Sequence, residues 1–216
     1  MSILERTYGQ PSSASVNEVL ISSDSHVIEP EGLWTKRLPK EFQERAPGFG
    51  GPRKNDHPGA MEGPNRVSEM AADGVSAEVL YPTHGLRALS LDDAELEAAC
   101  ARVYNDWLIE YCQAAPDRLI GLAMLSMYNV EGAVHEMERC RKAGLPGAVI
   151  WQVPPPELPF TSDHYNPFWA AAQDLEMPVS LHILSGHGYS KSRAFQAQQA
   201  GDRGIRFLLV SGKPLR

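Results

Sequence analysis

The chain has 216 residues, of which 43% are hydrophobic and 22% are charged, a composition typical of globular proteins. Its formal net charge of -7 argues against a general nucleic-acid binder, because neutralising phosphates requires clustered lysine and arginine. No apolar stretch approaches the roughly 18 residues of a membrane span, and the N-terminal segment lacks the apolar core of a signal peptide. Cys100, Cys112 and Cys140 are an odd number and widely spaced, which predicts reduced structural thiols in a cytoplasmic protein.

The first predicted strand ends in side chains that can bind a metal. Residues 1–17 are polar and rich in proline and serine, which predicts a loose arm. A strand is predicted over 18–24, ending near Asp24 and His26. Successive strand side chains alternate between faces, so these two residues present an oxygen and a nitrogen to one point, which is half of a divalent-metal site. The alternative is a strand-end pair that caps a neighbouring turn.

The remaining elements alternate between helices and strands. Residues 35–63 are rich in glycine, proline and charge, which predicts a loop with short helical turns. Helices are predicted over 66–73, from a cap at Asp92 or Asp93 to before Pro116, over 130–143 and over 165–176. Strands are predicted over 77–81, 119–124, 147–151 and 178–182, with a candidate sixth strand at 205–210.

This alternation indicates a parallel sheet, which two architectures could supply. Nearly continuous apolar strands separated by amphipathic helices are typical of βαβ units. No glycine-rich dinucleotide turn follows the first strand, whereas His84, Gln152 and His182 recur at strand ends. The pattern favours an incomplete (β/α)8 TIM-like barrel of about five to six parallel strands with flanking helices. A doubly wound binding protein is the alternative.

Three segments of the chain resemble the amidohydrolase-related family, in the branch that contains aminocarboxymuconate-semialdehyde decarboxylase and resorcylate decarboxylases besides hydrolases. These segments are Ile21 to Trp34 with the D-S-H triplet, Val79 to Thr83 (VLYPT), and Tyr165 to His182 (YNPFWAAA running into MPVSLH). The resemblance covers residues 18–188 in the family's order.

The resemblance implies a distorted (β/α)8 barrel that holds one divalent metal ion, with zinc expected first and manganese as the alternative. The implied metal ligands are Asp24, His26 and His182. For His182 the alternative is a core histidine bonded to a backbone carbonyl. The implied activity is hydrolysis of a small carbonyl or carboxylate substrate, or non-oxidative decarboxylation.

The tail departs from the family pattern. After Gly188 no sixth-strand histidine is found in 205–211, and no Ser-Asp-x-Pro segment with its last-strand aspartate follows. The expected organisation is therefore an arm at 1–17, a partial barrel at 18–188 and a divergent tail at 189–216, with the family's C-terminal part missing. Little activity is expected from such a chain alone, and a non-catalytic remnant is the second hypothesis.

Further residues are candidates for substrate contact. His187, in the loop after the fifth strand, is the catalytic candidate, and His84, Arg87 and Trp34 are the substrate-binding candidates. Glu29 either orients a ligand histidine or caps a helix. The expected partners are a small-molecule substrate, no nucleic acid, no membrane and, through unpaired sheet edges, further copies of the chain in a homo-oligomer.

Overall fold

The computed structural model describes residues 19–48, 51 and 56–188. The strands are β1 (Ile21–Val27), β2 (Ala77–Pro82), β3 (Leu119–Met124), β4 (Gly147–Val153) and β5 (Val179–Gly186). The helices are α1 (Leu33–Arg37), α2 (Lys40–Gln43), α3 (Gly63–Asp73), α4 (Gly85–Ala88), α5 (Ala94–Cys112), α6 (Val130–Lys142) and α7 (Asn166–Asp174), with 3-10 turns at Pro58–Ala60 and Asp163–Tyr165. The predicted arm at 1–17, the candidate strand at 205–210 and the tail at 189–216 lie outside the described residues.

The five strands form one parallel sheet in the order β1-β2-β3-β4-β5. Every crossover therefore moves in the same direction across the sheet, as it does around a barrel. A doubly wound sheet instead reverses its strand order at a switch point. The doubly wound alternative is wrong.

The sheet curls so strongly that its first and last strands face each other. Neighbouring strands lie about 4.8 Å apart, so a flat sheet would separate β1 from β5 by roughly 19 Å. Here Asp24 Oδ1 on β1 is 3.9 Å from His182 Nε2 on β5. Tyr81 on β2 also reaches Ser180 on β5, with 2.9 Å between the two hydroxyl oxygens. The fold is an incomplete TIM-like barrel, as predicted, and inward-facing side chains from its two edges meet inside it.

The hydrophobic core lies between the sheet and the helices that cover it. Its largest members come from α5, α7 and the strands, and include Tyr104, Leu108, Phe168 and Trp151. The three cysteines are also buried and free, and burial raises the pKa of each thiol above its ordinary value. This confirms the prediction of structural thiols. Within the described ranges, no helix combines the length and the apolarity that crossing a membrane requires.

Predicted element boundaries agree with the structure to within about four residues. β5 continues to Gly186 instead of ending at 182, and β1 is displaced as a whole. It begins at Ile21 and continues to Val27 instead of spanning 18–24. Its register against β2 shifts between Ser22 and Ser25, which marks a β-bulge that contains Asp24. The predicted helix 165–176 also divides into a 3-10 turn and α7, which begins at Asn166 next to a proline.

Candidate metal centre

Asp24 and His26 lie inside β1, one in the bulge and the other just beyond it. The bulge places one extra residue on β1 opposite β2, and bulges of this kind redirect side chains next to functional sites. The Asp24 side chain is exposed, whereas that of His26 is about one-third exposed. Their closest ligand atoms, Asp24 Oδ1 and His26 Nε2, are 3.7 Å apart. Both side chains therefore point to one place, as the two-residue spacing predicted.

His182 reaches the same place from β5, where the strand end is irregular. The β4–β5 register shifts after the Trp151–His182 pair, and Leu184 adopts a left-handed backbone with φ 72°. The buried Ser185 hydroxyl donates to the His182 carbonyl at 2.6 Å and accepts from the Gln152 N–H at 3.1 Å. These bonds tie the end of β5 to β4 at the level of His182.

The hydrogen bonds of the two histidines fix which ring nitrogen carries the proton. Nδ1 of His26 is 2.8 Å from the Pro82 carbonyl oxygen, and Nδ1 of His182 is 2.8 Å from the Ile183 carbonyl oxygen. A carbonyl oxygen only accepts, so each Nδ1–H donates, and in the neutral ring each Nε2 then has a free lone pair. This is the arrangement in which a backbone carbonyl orients a metal-binding imidazole.

Two of the three distances between the candidate ligand atoms are as short as a shared divalent ion requires. Asp24 Oδ1, His26 Nε2 and His182 Nε2 all lie within 4.8 Å of one another. Two ligand atoms on one ion are separated by at most twice the bond length, roughly 4.0–4.4 Å for zinc. The two distances from Asp24, 3.7 Å and 3.9 Å, meet this limit. Two imidazole nitrogens and a carboxylate oxygen form a donor set that suits zinc and other first-row divalent metals.

The electrostatics of the site favour a neutral His26. Burial lowers the pKa of His26; the Pro82 carbonyl opposes that shift and the neighbouring His182 adds to it. A neutral imidazole has the free lone pair that a metal ligand needs.

Tyr81 and Ser180 lie beside the two histidines, and the sequence did not point to either. The Tyr81 ring centroid is 5.1 Å from that of His182 and 6.0 Å from that of His26. The available signals were the place of Ser180 on β5, two residues before His182, and the place of Tyr81 within the VLYPT segment of β2.

Glu29 fastens the loop that follows β2. It is 1% exposed, and its carboxylate accepts the backbone N–H groups of His84 and Gly85 at 2.8 Å and 2.9 Å. Burial raises the pKa of Glu29 to about 7, although these donated bonds work in the opposite direction. Of the two alternatives, the helix-capping one describes this geometry, because the carboxylate covers the first N–H groups of α4.

The candidates His84 and Arg87 lie at α4, close to the end of β5. His84 immediately precedes this helix and Arg87 is within it, and both are half-buried. The Leu89 carbonyl, just after the helix, accepts the N–H of Gly186 on β5 at 3.0 Å. This bond ties the end of α4 to the strand that carries His182.

His187 also follows β5, and its N–H donates to the Val153 carbonyl at 2.8 Å. Its Nδ1 is buried and has no hydrogen-bond partner among the described residues. Trp34 is in the core, 2% exposed, and its indole N–H donates to the Cys100 carbonyl at 3.1 Å. Trp34 therefore takes part in the packing between α1 and α5, and its contact with substrate stays a prediction.

Glu97 is a second buried carboxyl group that the sequence analysis missed. It lies on α5, is 0% exposed and accepts the Trp151 indole N–H at 2.9 Å. Burial raises the pKa of Glu97 to about 8. The signal was its helical spacing, because Glu97 lies four residues before Ala101 and seven before Tyr104 on the buried face.

The described residues form a parallel half-barrel in which three candidate metal ligands from the edge strands converge. A sequence model described as "Amidohydrolase" matches residues 33–209. The chain belongs to the amidohydrolase family. The matched range begins after Asp24 and His26 and continues past the last described residue.

Similar proteins include decarboxylases. Gamma-resorcylate decarboxylase from Rhizobium radiobacter is 29% identical over 126 residues, which cover 54% of this chain and 37% of the relative. The chain therefore spans well under half of that curated relative. An amidohydrolase from Mycobacterium avium subsp. paratuberculosis has a similar structure, with a TM-score of 0.68 and 21% identity, covering 91% of this chain and 66% of the other.

A third similar protein is a dihydroxybenzoic acid decarboxylase from Polaromonas sp., whose structure contains manganese and the inhibitor 2-nitroresorcinol. Its TM-score is 0.55 at 24% identity, covering 76% of this chain and 49% of the other. At this level of identity, both structural similarities establish the fold.

Proposed function

We propose that this chain carries the divalent-metal centre of a metal-dependent enzyme that acts on a small carbonyl or carboxylate substrate. The observation that carries the proposal is the convergence of Asp24 Oδ1 with two Nε2 atoms whose rings are oriented through Nδ1. A strand-end turn cap or a satisfied core histidine would not require both lone pairs to face the same carboxylate.

Asp24, His26 and His182 would hold the ion in this proposal. The chemistry supplied by such an ion when bound is Lewis acidity towards a carbonyl or carboxylate oxygen. Zinc fits the donor set, and the manganese in the Polaromonas decarboxylase makes Mn²⁺ an equal candidate.

Non-oxidative decarboxylation of an aromatic carboxylate is the first candidate reaction, and hydrolysis is the second. Decarboxylation is favoured because the curated relatives include gamma-resorcylate decarboxylases. Hydrolysis remains a candidate because the chemistry of the ion would serve either reaction at a carbonyl carbon.

Residues around the strand ends would handle the substrate and its proton. Arg87 is a half-buried cation on α4 that would pair with a substrate carboxylate, and His84 lies at the start of the same helix. His187 would carry the proton, because its Nδ1 has no hydrogen-bond partner among the described residues.

The test measures metal content and turnover on the same preparation. The purified chain is loaded with Zn²⁺ or Mn²⁺, its bound metal is quantified, and activity is assayed on 2,6-dihydroxybenzoate and on a panel of small amides and esters. We expect about one ion per chain, lost in His26→Ala and retained in the matched control His135→Ala, an exposed histidine on α6. Absence of metal from the wild-type chain would refute the proposal. The expectation of little activity stays a prediction, and turnover near ~1 s⁻¹ that His26→Ala abolishes would contradict it.

A further inference from the structure

Tyr81 crosses the interior of the half-barrel next to the candidate ligands. It lies on β2, and its hydroxyl is 2.9 Å from Ser180 Oγ on β5. Since β2 and β5 are separated by two strands in the sheet, this hydrogen bond spans the space that the curled sheet encloses.

Three aromatic rings pack against one another at this point. The centroid of His182 is 5.1 Å from that of His26 and 5.1 Å from that of Tyr81, and His26 and Tyr81 are 6.0 Å apart. Each distance is within the range of ordinary aromatic contacts. The Tyr81 ring therefore touches the rings of both histidines.

The histidines need a contact of this kind. Each imidazole is oriented through Nδ1 by one hydrogen bond, which restrains the ring but still allows it to swing over the range in which that bond survives. The terminal side-chain torsion of histidine is broad, so the ring can turn. Such a turn would move Nε2 away from the point that the three candidate ligand atoms share. Packing on a fixed neighbour restricts that rotation.

The position of Tyr81 in the sheet makes it a fixed neighbour for both edges. In the β1–β2 register, Tyr81 is the direct partner of His26, so both side chains rise on the same face. Ser180 lies two residues before His182 and therefore on the same face of β5. The hydrogen bond to Ser180 thus links Tyr81, the cross-strand partner of His26, to the strand that carries His182.

We infer that Tyr81, anchored by Ser180, is a positioning residue that sets the distance between the His26 and His182 ligand atoms for the ion. This inference rests on the proposed function, since it takes these residues as metal ligands. The hydroxyl is needed to reach β5, and the ring is needed to restrain the imidazoles.

The experiment compares metal affinity and ligand geometry in four variants: Tyr81→Leu, Tyr81→Phe, Ser180→Ala and the double variant Tyr81→Phe/Ser180→Ala. Dissociation constants for Mn²⁺ and Co²⁺ are measured by competition with a chromophoric chelator. The visible d–d absorption of the Co²⁺ form reports ligand geometry, which a residue that only stabilised the fold would leave unchanged. Tyr165→Phe is the matched control, a buried tyrosine whose hydroxyl donates to the Leu158 carbonyl at 3.1 Å.

Tyr81→Leu is expected to weaken metal binding by about 10–100-fold, the range for residues that orient metal ligands, and to change the Co²⁺ spectrum. Tyr81→Phe and Ser180→Ala should weaken binding less and by similar factors. The double variant should be no weaker than either single one, because both remove the same bond. Tyr165→Phe should match the wild type.

If Tyr81→Leu binds metal with wild-type affinity and leaves the Co²⁺ spectrum unchanged, the positioning role of Tyr81 is overturned. The proposed metal centre would be unaffected by that result. If Tyr81→Leu does not fold, wild-type binding by Tyr81→Phe and Ser180→Ala overturns the positioning role equally. Failure of the wild-type chain to bind Co²⁺ or Mn²⁺ would instead refute the proposed function, and the inference with it.

Discussion

At the residue scale, backbone carbonyls decide what His26 and His182 can do. Pro82, at the end of β2, accepts from His26, and Ile183, next to His182 on β5, accepts from His182. Neither acceptor is a carboxylate, and in the neutral tautomer that donates through Nδ1 the ring nitrogens facing Asp24 are acceptors. One carboxylate and two neutral imidazoles would leave a divalent ion bound there with a net positive charge.

Glu97 makes stability depend on pH with a definite sign. Burial raises its pKa to about 8, above the value of about 4.5 of an unfolded glutamate. Between these values the folded chain keeps a proton that the unfolded chain has lost. The stabilisation that protonated Glu97 contributes to the folded state is fully present below the pKa of glutamate in the unfolded chain. It is lost as the pH rises towards 8, by up to ~1.4 kcal/mol per pH unit.

Glu97→Gln is expected to stabilise the protein at alkaline pH. Glutamine keeps an acceptor for the Trp151 indole and cannot ionise. The measurement is the free energy of unfolding in urea from pH 5 to pH 8 for variant and wild type. Their difference should grow with pH in favour of the variant, and Glu131→Gln, on the exposed start of α6, should show no such divergence. Parallel curves for Glu97→Gln and wild type would mean that Glu97 does not titrate in this range.

The sequence predicted the residues that lie near the ends of strands better than the contacts that form only because the sheet curls. Asp24, His26 and His182 could be brought together because parallel strands place their carboxyl ends at one edge. The contact between Tyr81 and Ser180 exists only because the sheet curls, which no local pattern encodes. Glu97 was missed because glutamate is ordinarily exposed, and the core packing of Trp34 did not follow from the sequence because a tryptophan can line a pocket or fill a core.

At the element scale, Asn105 joins α5 to the end of β3. It is fully buried, and its side chain accepts the Met124 N–H at 2.7 Å and donates to the Met124 carbonyl at 2.9 Å. It also donates to Glu136 on α6 at 2.8 Å. One amide therefore satisfies both backbone groups at the end of a central strand and connects two helices to it.

Asn105→Ala is expected to destabilise the fold substantially. The substitution leaves two buried backbone groups of Met124 without a partner, at about 1–3 kcal/mol each. Urea denaturation should show a loss of roughly 2–5 kcal/mol. The matched control is Asn166→Ala, an exposed asparagine at the start of α7, which should change stability by no more than about 0.5 kcal/mol. If Asn105→Ala also changes the free energy of unfolding by no more than about 0.5 kcal/mol, water must replace the Asn105 side-chain amide at Met124.

Element boundaries followed the sequence where apolar runs coincide with strands, as β3 does over Leu119–Met124. The prediction failed at β1 because its apolar residues Val19 and Leu20 are exposed ahead of the strand. Its later half is polar, since serine, aspartate and histidine face the site. A bulge further shifts its register. Apolar periodicity could not locate this strand, because its inner face carries polar candidate metal ligands and not apolar core residues.

At the scale of the whole molecule, the candidate ligands join the two edges of the sheet. Asp24 and His26 come from β1 and His182 from β5, and these strands have no further sheet partner among the described residues. Each edge also exposes apolar side chains, with Ile21 53%, Leu181 50% and Ile183 51% exposed. In β3, by contrast, nearly every residue is buried. Strands with few buried contacts open most readily, so β1 and β5 are the elements that a bound ion would stabilise most.

Metal binding is therefore expected to protect both edge strands together. Saturating Mn²⁺ or Zn²⁺ should slow amide hydrogen exchange in β1 and β5 and leave β3 as it is in the metal-free protein. At a free concentration of 100 times Kd, the ion should add about 2.7 kcal/mol to the free energy of unfolding. His182→Ala keeps Asp24 and His26 but removes the ligand of β5, so its exchange should not respond to metal in either edge strand, whereas His164→Ala should respond like the wild type. Protection confined to β1 in the wild-type chain would show that the ion is held by Asp24 and His26 alone and does not connect the edges.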